Sequence, residues 1–160
     1  MKFLTTIFCD DVRREEGNKL SYMGVYTGNL LVPSFPQVLP RLCFAMTMTV
    51  PAATELNELK FRLYKDDEVL AEQEVPANVI ASIAAAPVDQ TEEQLLRIGT
   101  VFQLFPLQLS ERCRFRSRAI CNGEEFKGGS LSVEAFPPNW PMIYSPGLML
   151  PMSPVLSGQN

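Results

Sequence analysis

The sequence predicts a mainly β protein, an antiparallel β-sandwich of the immunoglobulin-like or C2-like kind, and three observations favour that fold class. Apolar and polar residues alternate with a period of two, most clearly over residues 42–50 and 59–63. Turn-forming pairs such as Asn122-Gly123 separate the alternating stretches. Prolines lie between the stretches, and only one region favours helix. A chain of 160 residues can form one domain with a buried core.

The first two elements are predicted to be neighbouring strands. Residues 3–9 are rich in β-branched and aromatic side chains, as a strand prefers. Residues 15–19 are charged and contain a Gly-Asn pair, which predicts a turn before a second strand over residues 20–26. Cys9 stands beside Asp10 and Asp11, which raises the question of a metal or catalytic site. The simpler interpretation is that Cys9 lies in the core and that the two aspartates mark a strand end.

Three prolines then fall within the segment VPSFPQVLP, residues 32–40. Proline supplies no ladder donor and favours an extended residue before it, so this segment is predicted to cross the fold between strands. Alternation over residues 42–50 predicts the next strand. Residues 59–64 and 69–75 form a predicted hairpin, because the acidic run at 66–68 separates them as a turn.

The region from residue 77 to 99 has a different pattern and is predicted to be a helical insertion. Alanines favour one short helix over residues 78–86, and Thr91-Glu92-Glu93-Gln94 matches a capping box before a second helix at 91–98. Strands are then predicted over residues 101–109, 113–121 and 126–135. Residues 1–136 therefore form the predicted sandwich domain, and residues 137–160 form a proline- and methionine-rich C-terminal arm.

Several motifs resemble those of a known family. They are Gly17-Asn18-Lys19-Leu20, Gly24, the segment LVPSFPQVLPRLCFAMTMTVP at 31–51, and ICNGEEF at 120–126. Together they are similar to an uncharacterised family of small bacterial proteins that share a G-K-L turn and a VPxFPxxLPxL motif. The resemblance is close over residues 1–76 and loose over 101–135. It implies a β-sandwich and brings no known catalytic residue.

Charge and cysteine content limit the possible partners and compartment. A net charge of −4 and a pI near 4.9 argue against general nucleic-acid binding. The N-terminal stretch lacks the apolar length of a signal peptide, and no apolar run reaches the roughly 20 residues of a membrane helix. We therefore expect a cytoplasmic protein without membrane contact. The four cysteines form no CxxC pair, which predicts core thiols and no disulfide: Cys9, Cys43, Cys113 and Cys121.

The chain contains no histidine, which removes the usual general base of nucleophilic catalysis and the commonest zinc ligand. Acidic clusters at residues 10–11, 66–68 and 124–125 could bind calcium if loops brought them together. They lack calcium-loop spacing, and acids also suit strand ends and turns. The sequence therefore predicts no enzyme activity, no catalytic residue, no cofactor and no metal.

A comb of arginines in the segment RCRFRSR is the first candidate binding site. On a strand, alternate residues share a face and stand about 7 Å apart. The comb consists of Arg112, Arg114, Arg116 and Arg118. It could bind phosphates or carboxylates of a partner. The alternative is that Glu72, Glu124 and Glu134 on neighbouring strands neutralise it.

The C-terminal arm is the second candidate. Its apolar residues include Trp140, Ile143, Tyr144, Leu148 and Leu150. The arm could pack on its own domain, or dock on a partner or a second copy as an extended peptide. The predicted function is accordingly a non-catalytic binding or adaptor protein that acts through a protein partner or self-association. An inhibitor of a bacterial system, carried by a phage or mobile element, and a histidine-free carboxylate or cysteine enzyme are the alternatives.

Overall fold

A computed structural model describes residues 1–85 and 94–138. In this part the chain forms eleven strands and one helix. The elements are β1 Phe3–Glu15, β2 Lys19–Tyr26, β3 Asn29–Val32, β4 Gln37–Leu39, β5 Leu42–Pro51, β6 Leu59–Lys65, β7 Glu68–Glu74, α1 Ala77–Ala84, β8 Leu95–Leu104, β9 Leu107–Leu109, β10 Cys113–Cys121 and β11 Glu124–Ala135.

Two sheets form a β-sandwich, which confirms the predicted fold class. Sheet A has the strand order β2-β1-β5-β8, with every pair antiparallel. Sheet B has the order β3-β11-β10-β6-β7, and only β3 pairs in parallel, with β11. The short strands β4 and β9 pair with each other. The segment between β3 and β5 therefore crosses from sheet B to sheet A, as the prolines predict.

The core lies between the two sheets, where side chains from both inner faces meet. Phe8 and Phe44 of sheet A pack edge to face, with ring centroids 5.7 Å apart. Phe44 also reaches Phe115 of sheet B at 5.2 Å. A second cluster is centred on Met48 and Phe61. These residues come from the predicted strands, so the alternation of apolar and polar residues correctly indicates which side chains face the core.

The predicted end of the first strand is wrong. β1 continues through Asp10 and Asp11 to Glu15, and these last residues pair with β2 alone. Pairing with β5 stops at Cys9, so the rest of the β1–β2 hairpin has no core face to fill. Polar residues are tolerated on such a two-stranded ribbon. Charge at residues 10–11 therefore indicates loss of burial, and the strand itself does not end there.

The helical insertion is partly confirmed. α1 spans Ala77–Ala84, as the alanines predict. The second predicted helix is wrong over Leu95–Ile98, which opens β8 and pairs with β5. Thr91-Glu92-Glu93 lies outside the described residues. The predicted strand over 101–109 is two strands, β8 and β9, divided at Phe105-Pro106.

A β-bulge shifts the pairing of β10 with β11 in sheet B. Ser117 of β10 faces Gly128-Gly129 of β11, so the register shifts between Arg116 and Arg118. Both glycines approach sheet A: a Cβ on Gly128 would lie 2.8 Å from atoms of Leu4 and Thr6. The Ser117 hydroxyl bonds Thr6 Oγ1 at 2.7 Å and the Gly129 carbonyl at 3.0 Å. The bulge thus keeps outward-facing residues outward on both sides of it.

Candidate partner-binding surface

Three of the four comb arginines lie on the outer face of β10. Arg114, Arg116 and Arg118 alternate with the buried residues Cys113, Phe115, Ser117 and Ala119. Arg112 precedes β10 and is exposed outside the strand. The structure therefore keeps three members of the predicted comb on one face and leaves out the first.

Two further cations stand directly beside the comb. Arg118 is opposite Arg62 of β6 on one side and opposite Lys127 of β11 on the other. We call Arg62, Arg118 and Lys127 the basic row. The Arg118 side chain is 16% exposed and that of Arg62 is 30% exposed, so both lie along the sheet surface. Like charges directly opposite on neighbouring strands destabilise a sheet.

Acidic residues neutralise part of this surface. Glu72 pairs with Arg62, and this hydrogen bond raises the pKa of Arg62 and lowers the pKa of Glu72. Glu125 Oε1 lies 3.5 Å from Arg118 Nε. Lys127 has no ion pair within the described part of the chain. Arg62, at the end of the row next to β7, is therefore ion-paired, whereas Lys127 at the β11 end has no ion pair among the described residues.

The other comb arginines are held by the β6–β7 turn and by β11. Arg116 Nη2 donates to Asp67 Oδ1 at 2.8 Å and to the carbonyl of Asp66. Arg114 Nε donates to Ser132 Oγ at 3.2 Å, and its backbone N–H donates to Asp66 Oδ1 at 2.9 Å. Cross-strand neutralisation therefore does occur, but the acids differ from those predicted. Glu72 pairs with Arg62, and Glu124 and Glu134 form no ion pair among the described residues.

Sequence reasoning missed Arg62 and Lys127 as members of this surface. Alternation along β6 does place Lys60, Arg62 and Tyr64 on the outer face. The register between β6, β10 and β11 decides which cations stand side by side, and the bulge at residues 128–129 shifts it. No local pattern in the sequence reports that register.

The acidic clusters of the sequence do not meet at one place. Asp66 and Asp67 follow the end of β6, whereas Glu124 and Glu125 lie beside its beginning, at the opposite end of sheet B. Asp11 forms a 2.6 Å ion pair with Arg41, whose hydrogen bond lowers the pKa of the Asp11 carboxyl. Across residues 1–85 and 94–138, no group of three acids or cysteines is placed to hold a metal ion.

All four cysteines are buried, as predicted for core thiols. Cys9 and Cys43 are cross-strand neighbours in sheet A. Burial raises the pKa of Cys9 to about 11, and the charges of neighbouring groups add to the shift. Burial also raises the pKa of Cys43. The thiolate is the nucleophilic form, so neither thiol is prepared for nucleophilic chemistry.

The second predicted site lies beyond the described chain. Trp140, Ile143, Tyr144, Leu148 and Leu150 all fall after residue 138, outside the described residues. Within the described ranges, no helix has the length and apolar character needed to cross a membrane.

Comparison with known proteins identifies the family of this chain. No curated protein matches the chain, and no solved structure matches it. One family model matches residues 4–134, which include every strand of the sandwich except the first residue of β1 and the last of β11. The chain therefore belongs to a family of unknown function, DUF6941.

Proposed function

We propose that the protein is a non-catalytic binding module whose outer face of sheet B recognises an acidic partner protein. The observation that carries this proposal is the basic row, in which Arg118 stands directly opposite Arg62 on one side and Lys127 on the other. Like charges in such positions destabilise a sheet. Glu72 and Glu125 offset this at Arg62 and Arg118, whereas Lys127 has no ion pair among the described residues. A partner's carboxylates would remove that repulsion on binding.

The chemistry of the row suits carboxylates. Arginine presents a planar fork that binds a carboxylate through two hydrogen bonds, and arginine is frequent at the energetic centres of protein interfaces. Tyr64 lies next to the row, opposite Arg116, and adds a partly exposed aromatic ring. The net charge of −4 makes a protein partner a better match than a nucleic acid. Free thiols suit the cytoplasm, where we place this binding.

The replacement Lys127→Glu tests this proposal. Lys127 is exposed and has no ion pair among the described residues, so its replacement breaks no ion pair there and relieves repulsion with Arg118. We expect an unchanged or slightly raised melting temperature together with loss of the partner. Affinity capture from a native lysate, quantified by mass spectrometry, compares wild type with the variant.

Lys2→Glu is the matched control, because it makes the same charge change outside sheet B. Proteins retained by wild type and Lys2→Glu but lost by Lys127→Glu support the proposal. Equal capture by all three forms contradicts it. The double replacement of Arg114 and Arg116 by glutamate is a less direct test, because Arg116 is bound to Asp67 and its loss lowers stability as well.

A further inference from the structure

A second surface with unpaired cations is built mainly from the β1–β2 hairpin and sheet A. Residues of the β1–β2 hairpin, together with residues of β5, β7 and β8, line an open groove of about 1140 Å³. Val12 and Arg14 lie beyond Cys9, where β1 no longer pairs with β5. These hairpin residues therefore meet β5 and β8 across open space, as the walls of a groove.

The charge of this groove differs from that of the whole chain. Arg14 and Arg97 line it, and the described lining residues include no aspartate or glutamate. The chain as a whole carries 18 acidic residues against 14 basic ones. A concave surface with one sign of charge concentrates ligands of the opposite sign.

The two groove arginines also differ from most arginines of the protein, which have a side-chain partner. The partners are Asp11 for Arg13 and Arg41, Glu72 for Arg62, Ser132 for Arg114, Asp67 for Arg116 and Glu125 for Arg118. In the described ranges Arg14 and Arg97 have neither an ion pair nor a side-chain hydrogen bond. Both residues are exposed, so their side chains are available to a ligand.

The rest of the lining indicates the class of ligand. Leu20, Tyr22 and Val101 contribute apolar surface, and the remaining polar groups are neutral amides and hydroxyls. Leu20 is 44% exposed, which leaves an apolar side chain uncovered at the rim. The groove is open, and its volume lies just above the roughly 300–1,000 Å³ range of small-molecule clefts and cavities. An extended peptide fits such a shape better than a small metabolite.

We infer that this groove binds an extended acidic peptide segment of a partner protein, with Arg14 and Arg97 holding its carboxylates. The apolar wall accepts the side chains between those carboxylates. This site is separate from the basic row, because it is built mainly from the hairpin and sheet A. Each of the two sites can therefore fail without the other.

Fluorescence anisotropy with the full-length protein tests the inference. The probe is a short fluorescein-labelled peptide in which glutamate and tyrosine alternate, and a second peptide with glutamine in place of glutamate measures the part due to charge. We expect the glutamate probe to bind, with affinity that falls as salt rises. Arg14→Glu and Arg97→Glu should each weaken binding by about tenfold or more, and Arg97→Lys should retain part of it.

Arg112→Glu is the matched control, since Arg112 is exposed, unpaired among the described residues, and outside the groove. Unchanged affinity in this control, with losses in both groove variants, supports the inference. Equal losses in all three variants would mean that the probe senses net charge only, and would overturn it. Loss in Lys127→Glu alone would assign the probe to the basic row and also overturn it. Failure of the wild-type protein to bind the glutamate probe would also overturn the inference. This holds even if the cause is that residues 139–160 occupy the groove.

Discussion

At the scale of single residues, the protonation of two neighbouring thiols in sheet A leads to a prediction. Cys9 and Cys43 are directly opposite each other and fully buried. Burial is the main cause that raises the pKa of Cys9 to about 11, and the neighbouring thiol and carboxylates contribute in the same direction. An unfolded chain would instead titrate this thiol at its ordinary pKa near 9.

This difference predicts a loss of stability at high pH. Between about pH 9 and pH 11 the unfolded state releases the Cys9 proton while the folded state retains it, so the free energy of unfolding falls as pH rises. Below pH 9 both states are protonated and the effect is absent. We expect Cys9→Ala to show a shallower decline, by about 2 kcal/mol over the whole window. Urea unfolding of both forms at pH 8 and pH 11 measures it, and parallel declines would contradict the assignment.

At the scale of the elements, the packing of β11 against sheet A requires glycine at residues 128 and 129. The bulge brings these glycines against β1, and a Cβ on Gly128 would lie 2.8 Å from Leu4 Cδ2 and from Thr6 Oγ1. Replacing glycine with alanine in an open strand usually stabilises a protein by reducing the entropy of the unfolded chain. The added methyl would also clash with Ser117 Oγ of β10, so several neighbouring side chains would have to move and the sign should be reversed.

We therefore predict that Gly128→Ala lowers the free energy of unfolding by about 1–3 kcal/mol, the range for overpacked cores. Ser130→Ala is the control, because Ser130 is exposed on the same strand. Urea unfolding at neutral pH compares the two. A Gly128→Ala protein as stable as Ser130→Ala would show that the neighbouring side chains make room for the added methyl, and would contradict the prediction.

The predictability of the elements follows from where each strand lies. β6 alternates cleanly because only its inner face is buried, and β5 combines that alternation with Cys43, Ala45 and Thr49 on its buried second face. The strand start at Leu95–Ile98 was hidden, because leucine and a capping box favour helix locally while pairing with β5 decides the outcome. The local preference for helix is weak compared with the stabilisation from pairing ten residues of β8 with β5.

At the scale of the whole molecule, the candidate surfaces were predictable only in part. Alternation along RCRFRSR predicts an arginine face, and Arg114, Arg116 and Arg118 share that face. Their neighbours come from strands distant in sequence, so Lys127 could not be placed beside Arg118 without the register. The groove was not predictable at all, because Arg14 and Arg97 lie more than 80 residues apart in the sequence and only the fold brings them to one surface.

The C-terminal arm raises the last question about the whole molecule. A segment with Trp140, Ile143, Tyr144, Leu148 and Leu150 free in water would expose an apolar surface that monomeric proteins usually avoid. Its prolines disfavour a helix that could hide those side chains within the segment itself. We therefore expect something else to cover them, and the alternatives are the parent sandwich, a second copy or another protein.

Truncation after Phe136 distinguishes these possibilities, with light scattering for mass and a melting curve for stability. We expect the truncated chain to change in mass or in partner binding more than in melting temperature, since the core clusters are built from residues before 136. An unchanged mass with a markedly lower melting temperature would mean that the arm completes its own domain. An unchanged mass, melting temperature and set of captured partners would mean that the arm takes no part in association, and the prediction would be wrong. A change in mass that depends on protein concentration would identify a second copy as the partner, because only self-association follows the concentration of this chain alone.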